Sequence, residues 1–309
     1  MFSCAGIDVS KDSLEVRINP HDVGMSFPNT VNGLPALIAW LKGFEVTRIV
    51  LEATGGYERD AMKALQKADF EVFRINPRRA KDFAKAMGYR AKTDPIDARL
   101  LAEFATVIKD SCSRISSVEQ DNLRALVQQR ENFVQQQSDD RRRIKTASSD
   151  SVKPLLQSHI DYLDQAIKSI ETLIRQSTKD LDSEKAARLC SVKGIGLVTA
   201  ASIMAYLPEL GTVGRHEIAA LVGIAPYNDD SGKHEGPRHI GGGRFAVRRA
   251  MYMACWIVIL RQPEFKARYD ALRLKGKCAK VALIACMRVL LIRLNAMIRD
   301  NTEWREQAA

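Results

Sequence analysis

The chain has 309 residues, 46% of them apolar, which suffices to bury a core in two domains and excludes a disordered or fibrous protein. Its net charge of +10 calls for a polyanionic partner, nucleic acid before an anionic membrane. The excess is lopsided: residues 1–110 carry 16 basic and 15 acidic side chains, residues 111–185 carry 12 of each, and residues 186–309 carry 19 and 10. Bulk grip on a phosphate backbone is therefore expected in the last part.

In chain order, residues 4–19 predict two short strands joined by a tight turn, with Leu14, Val16 and Ile18 alternating in the second. Residues 33–43 have helical spacing. Residues 47–51 read as a buried strand ending at Glu52, residues 58–68 as a helix, and residues 70–75 as a strand stopped by Asn76-Pro77. Helices are expected from Lys81 to Met87 and from Pro95 to Ile108, the second with Ile96, Leu100, Leu101 and Phe104 on one face. A hairpin followed by strand–helix alternation predicts a mixed sheet flanked by helices.

Residues 118–150 are rich in Gln, Asp and Arg, with a thin apolar stripe at Leu123, Leu126 and Val127. After a break at Ser151 to Pro154, the residues Leu156, Ile160, Leu163, Ile167, Ile170 and Ile174 recur at spacings of 4, 3, 4, 3 and 4. That 3.5-residue seam suits a coiled coil, antiparallel or intermolecular, and equally a helical hairpin packed on its own domain. Residues 184–309 read as mostly helical around a polar, Gly-rich segment at 226–244. In CSVKGIGLVTAASIMAYL, a Gly-x-Gly turn opens a helix, and serves either as a phosphate cradle or as a plain connection. The organisation expected is thus α/β plus all-α, with boundaries at 1–110, 111–185 and 186–309.

None of the six cysteines forms a Cys-x-x-Cys pair or completes a zinc site with His, so all are expected to be buried apolar residues in a reducing compartment. No signal peptide is read ahead of the first strand. The longest apolar run near the C-terminus, Met251 to Leu260, is too short to span a bilayer, so a soluble, cytoplasmic protein is expected.

Four acidic residues carry the candidate chemistry. Asp8 lies in GIDVSK on the first strand. Glu52 ends an apolar strand, in VLEATGG, where a carboxylate meets the carboxyl edge of a sheet. Asp94 and Asp97, in KTDPIDARLLAEF, are three apart on one helix face. Singly, each has a plainer role: a turn residue, a strand-end charge, an N-cap or helix-dipole partner. Together they form a set of hard oxygen donors, the kind that holds Mg²⁺ for phosphoryl transfer.

A second constellation lies in GIAPYNDDSGKHEGPRHIGGGRFAVRRAMY, residues 223–252. Its glycines allow backbone to approach a phosphate, and Arg238, Arg244, Arg248 and Arg249 could grip one. Ser231, before Gly232, reads as a turn or N-cap serine. His234 and His239 fit a general base or phosphate ligand, and fit solvated loop residues better. Lys275, Lys277 and Lys280 form a basic turn before the last helix, suited to DNA or guide RNA and equally to a solvated helix start.

The segments GIDVSKDSLEV, LEATGGY and INPRRAKDFAKAMGYRAKTDPIDARLLAEF, continued by KGIGLVTAASIMAYL, closely resemble the bridge-RNA-guided DEDD transposases of bacterial insertion sequences (insertion-sequence family one-ten, relatives of Piv-type DNA invertases). The resemblance implies a RuvC-like, RNase H-like N-terminal domain whose four acids match Asp8, Glu52, Asp94 and Asp97 and bind Mg²⁺ or Mn²⁺. It implies a helical coiled-coil segment and a mostly helical C-terminal transposase domain. There Ser231 matches the nucleophile that links covalently to DNA. It also implies donor and target DNA as substrates and a noncoding bridge RNA as guide; the seam, with a site composed of both constellations, suggests a homodimer or tetramer, expected on the nucleoid. Two other readings remain from the residues: a metal-dependent nuclease or Holliday-junction resolvase without a covalent intermediate, and an inactive nucleic-acid-binding transposase copy.

Overall fold

A computed structural model describes residues 3–88, 94–108, 117–228, 230–231, 234–236 and 238–305. It divides the chain into two compact units, Met1–Ile115 and Ser116–Ala309.

The first unit is built on β1 (Ser3–Val9), β2 (Ser13–Asn19), β3 (Val23–Pro28), α1 (Leu34–Gly43), β4 (Val46–Glu52), α2 (Glu58–Lys67), β5 (Glu71–Ile75), α3 (Pro77–Ala86) and α4 (Asp94–Val107). The sheet order is β3-β2-β1-β4-β5. The first three strands form an antiparallel meander, and β4 and β5 continue parallel from β1. This is the mixed, RNase H-like sheet that the resemblance implies.

Strand alternation sorts the side chains into two cores. Ala5, Ile7 and Val9 pack with Ile49, Leu51 and Val72 under Leu37 and Leu41 of α1 and Leu65 of α2. Cys4, Val50, Phe73 and Ile75 pack on the opposite face against Ala80 of α3 and Leu101 and Ala105 of α4. With both faces covered, residues 4–7 of β1 and 49–51 of β4 are unbroken apolar runs, as strands buried on two sides require.

Two details differ from expectation. The strand β3 has no counterpart in the sequence reading. It is an edge strand with Phe27 as its one buried residue, so it shows no apolar alternation. Helix α3 begins at Pro77 rather than Lys81, because Asn76 caps it, its Oδ1 accepting from the Arg78 N–H at 2.8 Å.

The second unit opens with α5 (Val118–Thr146) and α6 (Val152–Ser191). Ser117 caps α5 by accepting from the Gln120 N–H. The two helices run antiparallel, as their cross-links record: Asn122 to Ser177, Arg130 to Glu171, Gln137 to Asp164, and Asp140 to His159. Ile160, Leu163, Ile170 and Ile174 are buried, with Leu156 and Ile167 half-buried. The 3.5-residue seam is thus met within the chain. Helix α6 kinks at Asp182, whose backbone is extended (φ −169°, ψ 96°) and whose carboxylate caps the next turn through the Lys185 N–H.

There follow α7 (Leu197–Tyr206), α8 (Arg215–Val222), four two-residue strands β6 (Pro226–Tyr227), β7 (Asp230–Ser231), β8 (His234–Glu235) and β9 (His239–Ile240), then α9 (Phe245–Arg261), α10 (Pro263–Leu274) and α11 (Ala279–Arg299). One core joins Leu123, Val127 and Ile174 of the hairpin to Ile203, Met251, Val258, Leu290 and Leu294 of the later helices.

Helix α11 corrects the expectation on apolar length. It is 21 residues long and apolar enough, by length and composition, to cross a membrane. Leu283, Met287, Leu290, Leu291 and Leu294 are instead core residues of this unit. The cysteine expectation also needs correction. Cys4, Cys255 and Cys286 are buried, but Cys190 and Cys278 are exposed, lying at a helix end and an N-cap where no core covers them. Cys112 lies outside the described residues.

Candidate active site

Asp8 and Glu52 share one face of the sheet for a reason of parity. Residues 4 and 50 face the α3–α4 side, so Asp8 and Glu52, an even number of residues further on, face it too. The parallel register sets Ile7 beside Leu51. The next residues along each strand, Asp8 and Glu52, are therefore neighbours at the carboxyl ends of β1 and β4.

Asp94 and Asp97 both lie in the first turn of α4. What brings that turn to Asp8 is Gly6. A Cβ on Gly6 would stand 2.1 Å from the Ala98 carbonyl oxygen and 2.2 Å from the Ala102 nitrogen. Only a residue without a side chain lets the α4 backbone rest directly on β1. Asp8 is two residues from that contact along the strand, and Asp94 one turn from it along the helix.

The electrostatics agree with this convergence. The Asp8 carboxyl is pushed up from 3.8 to about 6, first by burial and then by the negative charges of Asp94, Asp97 and Glu52. The Val9 N–H pulls weakly the other way. Among the described residues, no three carboxylate, imidazole or thiolate groups stand close enough to form a chelating set as they are. The four acids share a neighbourhood rather than one point. Their chemistry, hard oxygen donors that repel one another, fits Mg²⁺ or Mn²⁺.

The segment with Ser231 is a double ladder. Pro226 and Tyr227 pair with Ile240 and His239, and Asp230 and Ser231 pair with Glu235 and His234. The Ser231 backbone is thus in a strand, not at an N-cap. The two legs of the segment meet at Gly223 (φ 75°) and Gly243 (φ 67°), where a Cβ on Gly243 would lie 2.2 Å from the Gly223 nitrogen.

Three of the four arginines expected to grip phosphate are engaged with protein. Arg244 donates to the Tyr206 carbonyl at 2.8 Å and forms a two-pronged ion pair with Glu209. Arg248 donates to the Gly242 carbonyl at 2.6 Å and to those of Val222 and Gly223 at 3.3 Å. Arg249 pairs with Glu131 of α5 at 2.7 Å. Arg238 and His239 are exposed, as are Lys275, Lys277 and Lys280 around the α10–α11 turn. The side chains of Ser231 and His234 lie outside the described residues.

Sequence reasoning missed Gly6, Asn29 and Glu58. The glycine is readable in hindsight as the first letter of GIDVSK, in a strand that has no turn to explain it. For Asn29 the sequence holds no signal, because its side chain binds the carbonyls of two distant loops, at Ser10 and Tyr57, whereas Glu58 takes the nearby Thr54 and Gly56 N–H groups and pairs with Arg74.

Two family models match the chain: the DEDD transposase model of the IS110 group over residues 5–147, and that of the IS116/IS110/IS902 transposase family over residues 186–270. The pilin gene-inverting proteins of Moraxella lacunata and Moraxella bovis are each 28% identical to the chain over 309 residues, covering 96% of it and 95% of their own length. A 43.6 kDa protein of insertion element IS110 from Streptomyces coelicolor is 28% identical over 161 residues, 51% of this chain and 39% of that protein.

Proposed function

Because the chain belongs to the IS110/IS116/IS902 transposase family, we propose that it recombines DNA with a metal site at Asp8, Glu52, Asp94 and Asp97 and a nucleophile at Ser231. The family is one of transposases, enzymes that act on DNA and depend on divalent metal ions. The observation that carries the finer reading is the crowding of Asp8 by the other three acids. Like charges gathered at a cost to the fold mark a functional site.

In this reading the four carboxylates hold Mg²⁺ or Mn²⁺. An ion held by Asp8, Glu52, Asp94 and Asp97 would polarise the scissile phosphate and offset charge developing on its oxygens. The Ser231 Oγ forms a bond to phosphorus as the bond from phosphorus to the departing strand's sugar oxygen breaks. The serine proton ends on that sugar hydroxyl. The phosphoserine link conserves the bond energy, so a new strand is joined without an external energy source. The name of the Moraxella relatives, which speaks of inverting a gene, fits strand exchange better than hydrolysis.

Arg244 and Arg248 serve the DNA indirectly, by fixing the base of the Ser231 ladder, and Arg249 by tying α9 to Glu131 of α5. Arg238, Lys275 and Lys277 contact phosphates. A noncoding bridge RNA selects donor and target DNA, and a homodimer or tetramer assembles on the bacterial nucleoid. The guide RNA rests on resemblance, and the assembly on a site composed of the acidic and serine segments.

A denaturing gel of protein incubated with its insertion-end DNA and Mg²⁺ tests the proposal. The wild type should give a DNA-linked protein band, and Ser231→Ala should lose it while melting like the wild type. Cleavage without any linked band in the wild type would favour the nuclease or resolvase instead. Binding without cleavage would indicate an inactive copy.

A further inference from the structure

We infer that Asn29 and Glu58 are positioning residues that set the separation of Asp8 and Glu52; the inference rests on the reading of those two acids as metal ligands. Each acid lies at the end of a strand, just before a loop, and the geometry of each loop decides where its carboxylate goes. Asn29 ties the two loops together. Its side-chain amide donates one hydrogen to the Ser10 carbonyl at 2.9 Å and the other to the Tyr57 carbonyl at 3.1 Å. Ser10 is two residues after Asp8, and Tyr57 is five after Glu52. Both partners are carbonyl oxygens, so the NH₂ group, not the amide oxygen, must face them.

Asn29 is itself held. Its N–H donates to the Asp12 carbonyl at 3.0 Å, and it directly follows β3, which pairs with β2 through Ser13 and Pro28. The Ser10 turn is stiffened in turn, since the Ser10 Oγ accepts from the Ser13 N–H at 2.8 Å.

Glu58 fixes the other loop from inside. It is 2% exposed, and its Oε2 accepts from the Thr54 N–H at 3.1 Å and the Gly56 N–H at 2.9 Å. Arg74 of β5 donates to its Oε1 at 3.3 Å, which offsets the buried charge. The Thr54 hydroxyl donates to the Glu52 carbonyl at 3.3 Å, so the loop held by Glu58 is fastened directly to the residue that bears the acid. An exposed turn would not need a buried carboxylate to hold two of its N–H groups, since water would serve them. Outer groups that orient metal ligands typically change metal affinity about 10–100-fold when removed.

Mn²⁺ binding to the full chain tests this without any DNA. Free Mn²⁺ is followed by electron paramagnetic resonance, with Asp8→Asn as reference and urea midpoints as a check on folding. Asn29→Ala and Asn29→Asp should each weaken Mn²⁺ binding about tenfold or more, with urea midpoints close to wild type. The Asp variant keeps the shape of the side chain but donates nothing, so a mere packing role would leave it unaffected. Glu58→Gln should act in the same direction, because its single amide oxygen can serve either the two loop N–H groups or Arg74, and its NH₂ would face the donor left over. Wild-type affinity in both Asn29 variants, beside a clear loss in Asp8→Asn, overturns the inference and leaves the metal site standing. Equal binding by wild type and Asp8→Asn overturns the metal site, and the inference with it. If Asn29→Ala fails to fold, Asn29→Asp decides by the same comparison.

Discussion

The crowding of Asp8 has a cost that can be worked out and measured. Its carboxyl is raised from 3.8 to about 6, which corresponds to about 3 kcal/mol at about 1.4 kcal/mol per unit. Asp8 is only half-buried, and solvent screening reduces this to about 1–2 kcal/mol. The folded chain holds this proton more tightly than the unfolded chain. The stability it confers is therefore complete below about pH 4 and is lost as the pH rises through about 6. Asparagine has no charge to repel. Asp8→Asn should accordingly match the wild type near pH 4 and exceed it by about 1–2 kcal/mol at pH 8, a rise in Tm of roughly 2–3 °C for a chain of this size. The assay is thermal unfolding by circular dichroism in EDTA at pH 4.5, 6 and 8. Adding Mg²⁺ should close the gap at pH 8, since an ion bound only by the folded wild type stabilises only the wild type. A gap that does not change with pH, or an Asp8→Asn variant less stable than wild type at pH 8, would refute the reasoning.

Gly6→Ala places a methyl group against the α4 backbone and should cost about 2–4 kcal/mol in urea denaturation; a loss under 1 kcal/mol would mean that α4 does not rest on β1. The same variant should bind Mn²⁺ more weakly, because Asp94 and Asp97 move with the helix. Arg244→Ala leaves Glu209, whose side chain is 16% exposed, without its guanidinium and should cost about 2–3 kcal/mol in chemical denaturation. Arg244→Lys should recover less than half of that, since an ammonium cannot make the two-pronged contact.

The sheet was legible where burial imposes a period. The apolar runs of β1, β4 and β5, and the helical spacing of α1 and α2, lie close to their expected positions. The edge strand β3 was not legible, because pairing with β2 by backbone alone leaves no mark on side chains that face solvent. The seam of α6 could be read as a seam, but its partner could not, since 3.5-residue spacing is the same for a helix in this chain or another. The last helix, α11, was legible as a helix, but its apolar length was hidden by Arg288 and Arg293, which interrupt its apolar letters without interrupting its buried face.

The candidate site was half visible. Four carboxylates could be singled out by strand ends and helix spacing, and their common face follows from counting residues. The arginines looked like phosphate ligands because their protein partners, such as Glu209 for Arg244 and Glu131 for Arg249, are far away in sequence. Ion pairs of that range leave no local signature, and neither do the loop contacts of Asn29.

The two units tolerate changes in length very differently, and this follows from their repeats. In β1 a single inserted residue between Gly6 and Asp8 would turn the acid to the α1–α2 face, because side chains alternate. That strand is a fixed gauge. The α5–α6 hairpin is an adjustable one. Seven residues added to each helix would lengthen the arm by about 10 Å and return every seam residue to within about 20° of its former direction. Relatives of this chain should therefore vary in the hairpin by multiples of seven, matched in both helices, while the spacing from the first glycine to the first acid stays at two.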